Sequence, residues 1–169
     1  MLPFLRGVGT GALDVTRADL LSTLGYNAFR VWGVDQLNEP MLLRANEKRV
    51  AVVVGLWIQN VPHRDSPEEA DLVRNLISQV TQWSRFQAIQ MWVIGNEVEL
   101  RSDEQAAFVL INKVASAIRT IDQRPTATAI AEIGDVITQH CRSGLDSSVR
   151  ELLANDLHAM RRQLFRARQ

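Results

Sequence analysis

Apolar residues along this chain alternate between two spacings. Short apolar-rich runs occur at 5–10, 27–32, 50–58, 89–94 and 126–131. Between them, at 16–24, 36–46, 67–85, 103–121 and 134–141, apolar positions recur every three or four residues. The first spacing predicts strands buried on both faces, the second amphipathic helices. Two helix starts carry recognisable caps. In Thr16-Arg17-Ala18-Asp19 the threonine can accept from the first amides, with an acid where the helix dipole favours one. In Ser66-Pro67-Glu68-Glu69 a serine cap precedes proline at the first helical position and two acids. Strand–helix units of about 20 to 40 residues in series imply parallel strands joined by crossovers, in either an open doubly wound sheet or a closed barrel. From Asp146 the rhythm changes. Leu153, Leu157, Met160 and Leu164 fall at helical spacing beside Arg161, Arg162, Arg166 and Arg168, which predicts a basic amphipathic helix over 146–169.

The chain has 169 residues, 46% of them hydrophobic, with Lys+Arg 19 against Asp+Glu 19. That composition supports a packed core without staples and excludes a disordered chain. Balanced charge provides no field for nucleic acid or anionic lipid, so neither is expected as a partner. A single cysteine, Cys141, excludes an intramolecular disulfide and a multi-cysteine zinc site. His63, His140 and His158 share no ligand spacing, and no metal or cofactor is expected. No apolar run is long enough to span a bilayer and no export signal is recognisable; the compartment stays open.

Two clusters carry candidate chemistry. Gly7-Val8-Gly9-Thr10-Gly11-Ala12, with Asp35 beyond it, fits a dinucleotide fingerprint. That motif needs a strand ending before its first glycine and a helix starting just after its second, which the late helix start at Thr16 opposes. The second cluster is Ile94-Gly95-Asn96-Glu97-Val98-Glu99, at the carboxyl end of the fourth predicted strand, where an α/β barrel keeps its chemistry. A carboxylic acid there, flanked by Trp92 and Trp57, is suited to donate a proton to a leaving oxygen, and the preceding asparagine to bond a sugar hydroxyl. A loop Asn-Glu capping the next helix is the alternative reading.

Four blocks weigh between these readings. Arg6-Gly7-Val8-Gly9, Ala18-Asp19-Leu20-Leu21-Ser22-Thr23-Leu24-Gly25-Tyr26-Asn27-Ala28-Phe29-Arg30-Val31-Trp32-Gly33, Val52-Val53-Val54-Gly55-Leu56-Trp57-Ile58 and Gln90-Met91-Trp92-Val93-Ile94-Gly95-Asn96-Glu97-Val98-Glu99 together resemble the TIM-barrel domain of retaining glycoside hydrolases. The likeness is to family 2-like and β-glucan-active members of the clan with an Asn-Glu acid/base, over residues 6–135. It implies Glu97 as acid/base, Asn96 on the 2-hydroxyl of a sugar, and Arg30 supporting the nucleophile carboxylate. Trp32 and Trp57 end strands two and three, where they offer stacking faces for a carbohydrate substrate or pack on the barrel rim. His63 and Arg64 are substrate contacts or solvated loop residues.

The chain departs from that pattern at Glu47-Lys48-Arg49, where the family has a glycine, and at Phe86-Gln87, where it has His-Pro. A retaining enzyme also needs a second carboxylate, which in this clan comes from strand seven. The pattern here reaches strand five, with Cys141 to Asp146 resembling the approach to strand six. A full barrel takes about 250 residues. The expectation is therefore a partial (β/α)8 barrel over residues 1–145, about five strand–helix units, followed by the C-terminal helix over 146–169. On this reading the chain is a fragment without its nucleophile, its frame shifted after about residue 145. Among the remaining acids Asp35, Glu99, Glu132 and Asp135, Glu132 is the nearest substitute. Open sheet edges would favour a homo-oligomer. A noncatalytic carbohydrate- or protein-binding module is the alternative function, and an NAD-binding domain the more remote one.

Overall fold

The computed structural model describes residues 5–11 and 15–130. The helices predicted over 134–141 and 146–169, with Glu132, Asp135, His140, Cys141 and His158, lie outside the described residues. Within them runs β1 (Gly7–Gly9), α1 (Val15–Thr23), β2 (Ala28–Val31), α2 (Glu39–Glu47), β3 (Ala51–Leu56), α3 (Pro67–Trp83), β4 (Ile89–Asn96), α4 (Glu104–Arg119) and β5 (Thr126–Ala129). Short 3-10 turns follow β2 at Val34–Gln36 and β4 at Val98–Leu100. All five strands are parallel and lie in the sheet in sequence order. A doubly wound sheet reverses its strand order at a switch point, and no reversal occurs here. The α/β class is what the alternating pattern predicts, and the sequential strand order is that of the partial barrel which the resemblance implies.

Register explains the core. Val31, Val54 and Trp92 are paired across β2, β3 and β4, as are Leu56 and Ile94 across β3 and β4, so these side chains share one face of the sheet. They are fully buried, together with Met41, Leu42 and Ala45 of α2 and Leu110, Val114 and Ile118 of α4. The opposite face is mixed: Arg30, Val53 and Met91 are half-buried, while Ala28 and Val93 are buried. The expectation of burial on both faces therefore holds only in part. It fails most clearly at β1, whose three residues are all exposed, and at β5, whose four are half-buried. Both strands sit at the ends of the strand order, where one lateral neighbour is missing among the described residues.

Helix starts follow local chemistry with two revisions. Ser66 caps α3 by accepting from the Glu69 amide at 3.1 Å, with Pro67 in the first turn, as predicted. The helix predicted from Gln36 begins at Glu39 instead, because Asn38 accepts from Met41 N at 2.9 Å and Pro40 enters the first turn. The first helix starts at Val15, so Thr16 is already helical and does not cap it. Asp19 serves tertiary packing, taking Arg44 Nε at 2.7 Å and Nη2 at 3.0 Å to join α1 to α2.

The two ends of β4 are held differently. At its start, the Trp92 indole donates to Asp122 Oδ2 at 3.0 Å, and Arg124 bonds that carboxylate and the carbonyls of Ser84 and Phe86. At its finish the backbone turns sharply. Gly95 has φ +71, and a side chain there would strike Val98 Cγ2. Glu97 follows with φ 51 and ψ 41, left-handed for a residue that has a Cβ. Such a backbone costs about 1–2 kcal/mol relative to glycine. Its amide donates to the Ala129 carbonyl at 2.8 Å, which anchors the turn to β5.

The Glu97→Gly variant should exceed Glu97→Ala in unfolding free energy by about 1 kcal/mol, measured by denaturant titration; equal stabilities would show that the turn is unstrained. Buried Glu69 accepts from Lys113 Nζ and from the Asp65 amide. The Lys113 hydrogen bond, more than any other contact, holds the Glu69 carboxyl below its ordinary value, and burial opposes the shift. A carboxyl lowered by folding adds stability above its unfolded value, about 4.3, that is lost as the pH falls toward the lower folded value. Melting temperatures should therefore fall below that pH more steeply in the wild type than in Glu69→Gln, and parallel curves would contradict the assignment.

Candidate functional site

Parallel strands in sequence order bring the carboxyl ends of β2, β3 and β4 together. Arg30 is the third residue of β2, Trp32 follows that strand directly, Trp57 follows β3, and Asn96 ends β4. Trp32, Gly33, Asp35, Gln36, Trp57 and Asn96 line an open cleft of about 640 Å³ over these strand ends. Trp32 is 37% and Trp57 44% exposed. Each indole combines a broad apolar face with one N–H donor, and that of Trp57 donates to Gln59 Oε1 at 3.0 Å.

Arg30 organises the floor. Its Nη2 donates to Asn96 Oδ1 at 3.0 Å, a side-chain bond from β2 to β4 across β3. That bond fixes the Asn96 amide with its oxygen toward the guanidinium, which leaves the amide NH2 as its donor to the cleft. The same guanidinium lies 4.5 Å from the Trp32 ring centroid, a cation–π distance. Burial pushes Arg30 below its ordinary pKa, and the neighbouring Glu97 carboxylate partly restores it. Arg30 Nε is buried and has no hydrogen-bond partner among the described residues. A buried donor without a partner costs about 1–3 kcal/mol.

Gly55 makes this arrangement sterically feasible. A Cβ there would collide with the carbonyl oxygen of Trp32, so the chain leaving β2 can pass close to β3 only because position 55 has no side chain.

The structure brings Trp32, Trp57 and Asn96 together at the strand ends, with Arg30 bonded to Asn96 and Glu97 within electrostatic reach of Arg30. Other candidates lie away from the cleft or in a different role. Trp92 does not flank Glu97: it is buried five residues back, within β4, its indole turned to Asp122. His63 and Arg64 are exposed and are not among the residues lining the cleft; Arg64 lies 3.6 Å from Asp65. Gly7 and Gly9 are themselves residues of β1, whereas a dinucleotide fingerprint sets its glycines in the turn after the strand. Asp35, considered there for a ribose, instead lines the cleft.

Two contributors escaped the sequence reading. Gln36 accepts from the Trp32 amide at 2.8 Å and lines the cleft; its place three residues past Gly33, after a strand end, was the only available cue. Arg101 donates to the carbonyls of Asn96 and Ile58 and lies 5.2 Å from the Trp57 centroid. Nothing local to its sequence marks that role. Among the described residues, no three His, Cys, Asp or Glu side chains cluster to hold a metal ion, and no helix is long and apolar enough to cross a membrane.

No protein-family model and no curated protein sequence matches the chain. Solved structures do match in fold. A β-glucuronidase from Parabacteroides merdae superimposes with TM-score 0.60 at 18% identity, over 75% of this chain and 18% of that one. A β-D-mannosidase from Dictyoglomus thermophilum gives TM-score 0.57 at 14% identity, over 74% of this chain and 18% of that one. A GH2 β-galacturonidase from Eisenbergiella tayi bound to galacturonate gives 0.57 at 18% identity, over 75% and 25%. This chain thus spans between 18% and 25% of the length of these structures. At such identities the likeness is one of fold, which this chain shares with part of each of these β-glycosidases.

Proposed function

We propose that this chain carries the acid/base half of a retaining β-glycosidase site, of the family 2-like kind with an Asn-Glu pair, acting on β-linked glycosides. The observation that carries the reading is the Arg30–Asn96 bridge beside Glu97, set under a cleft faced by two exposed indoles. The glycosidase fold neighbours support it from outside the chain.

On this reading a pyranose ring stacks on Trp32 or Trp57, and the Asn96 amide donates to its 2-hydroxyl. Glu97, protonated, gives its proton to the glycosidic oxygen as a second carboxylate attacks the anomeric carbon and the carbon–oxygen bond breaks. As carboxylate it then takes a proton from the water that releases the sugar. Arg30 stabilises the attacking carboxylate, for which its unpaired Nε is a ready donor. That second carboxylate is not assigned among the described residues. The exposed indoles also favour a second reading, in which the same cleft binds carbohydrate without cleaving it.

Calorimetric titration with β-linked gluco-oligosaccharides up to millimolar concentration should give saturable heat, weakened about fivefold or more by Trp57→Ala through lost stacking. No heat in the wild type would overturn both readings. Hydrolysis assays separate them. Acid catalysis predicts that Glu97→Gln slows aryl glycosides with poor leaving groups by about 10²–10⁴-fold while sparing those whose leaving group needs no proton. Binding with no turnover even when azide is supplied as an external nucleophile to replace the second carboxylate would support the noncatalytic reading.

A further inference from the structure

Arg101 has no place in the chemistry above, yet it makes more directed contacts around the cleft than its exposed position requires. Its Nη2 donates to the Asn96 carbonyl at 2.9 Å and to the Ile58 carbonyl at 3.2 Å, so one nitrogen joins the chain leaving β4 to the chain leaving β3. Its guanidinium lies over the Trp57 ring, 5.2 Å from the centroid, while the Trp57 indole nitrogen donates to Gln59 Oε1 at 3.0 Å. Its own amide closes the 3-10 turn by donating to Val98 O at 3.1 Å.

The Asn96 carbonyl and the Glu97 amide belong to the same planar peptide unit. Arg101 binds the oxygen of that unit, and Ala129 O accepts from its N–H at 2.8 Å. The plane from which the left-handed Glu97 departs is therefore clamped from both sides. A planar guanidinium suits this double task, because it can stack on an indole while donating in its own plane; an ammonium can donate but offers no face.

We infer that Arg101 is a positioning residue, which couples the stacking face of Trp57 to the peptide that aims Glu97. This inference rests on reading the cleft as a glycosyl site. It makes sugar binding at Trp57 and the orientation of the Asn96–Glu97 peptide parts of one rigid unit, and it assigns a functional role to a side chain outside the strand-end motif.

A double-mutant cycle on the full chain tests it, with a β-linked gluco-oligosaccharide as probe, calorimetric affinity as one readout and melting temperature as the other. The variants are Arg101→Ala, Arg101→Lys, Trp57→Leu and the Arg101→Ala/Trp57→Leu pair. Arg101→Ala should weaken binding about three- to tenfold in the wild type and less than about twofold when Trp57 is already leucine. Arg101→Lys, which keeps donors for both carbonyls, should keep the melting temperature without keeping the affinity; it carries the test if Arg101→Ala fails to fold. Additive losses, or wild-type affinity in Arg101→Lys, would overturn the coupling and leave the glycosyl site standing. Absence of binding by the wild type would overturn the site and this inference together.

Discussion

The hydrogen bond from Arg30 to Asn96 is the constraint around which the strand ends are arranged. It reaches from β2 to β4, a span of about 9.5 Å at ordinary strand spacing, and so requires the intervening strand to be low and the three strands to keep their register. Gly55 meets the first condition, by letting the Trp32 carbonyl lie against bare backbone. Buried Val52, Val54 and Leu56 meet the second, because a one-residue slip of β3 would turn them out of the core. Packing on one face of the sheet thereby determines polar geometry on the other.

The end of β4 shows the cost of that arrangement. An ordinary strand would run straight on and point residue 97 by simple alternation. Here Gly95 and Glu97 both take positive φ, and the exit is held by Val98, by the Ala129 carbonyl and by Arg101. Left-handed backbone at a non-glycine residue persists where its surroundings determine it, and such positions concentrate at functional sites. The strain lies at the residue that sequence reasoning had singled out for acid/base work. The opposite end of β4, closed by Trp92, Asp122 and Arg124, carries a satisfied polar network and serves stability.

Local signals were the legible part of this chain. Apolar runs located all five strands to within a few residues, and Ser66-Pro67 marked the start of α3, because strand burial and helix capping are properties of neighbouring residues. The strand-end positions of Arg30, Trp32, Trp57 and Asn96 were legible for the same reason. Long-range partners were not. The pairing of Asp19 with Arg44, the turning of Trp92 toward Asp122 and the reach of Arg101 to Trp57 depend on which loops the strand order places side by side. Asp19 therefore read as a helix-dipole charge and Trp92 as a neighbour of Glu97. The strand order itself, sequential and without reversal, was open to two solutions from periodicity alone.

On the proposed reading the Asn96 amide, oriented by Arg30, meets a sugar's 2-hydroxyl beside Glu97. Calorimetric affinities for a β-glucoside and its 2-deoxy analogue, measured on the wild type and on Asn96→Ala, test it most directly. Loss of a hydrogen bond of this kind should weaken the 2-deoxy analogue by about tenfold in the wild type, and the two ligands should become equivalent in Asn96→Ala. Equal affinities in the wild type, or a preference that survives in Asn96→Ala, would contradict it.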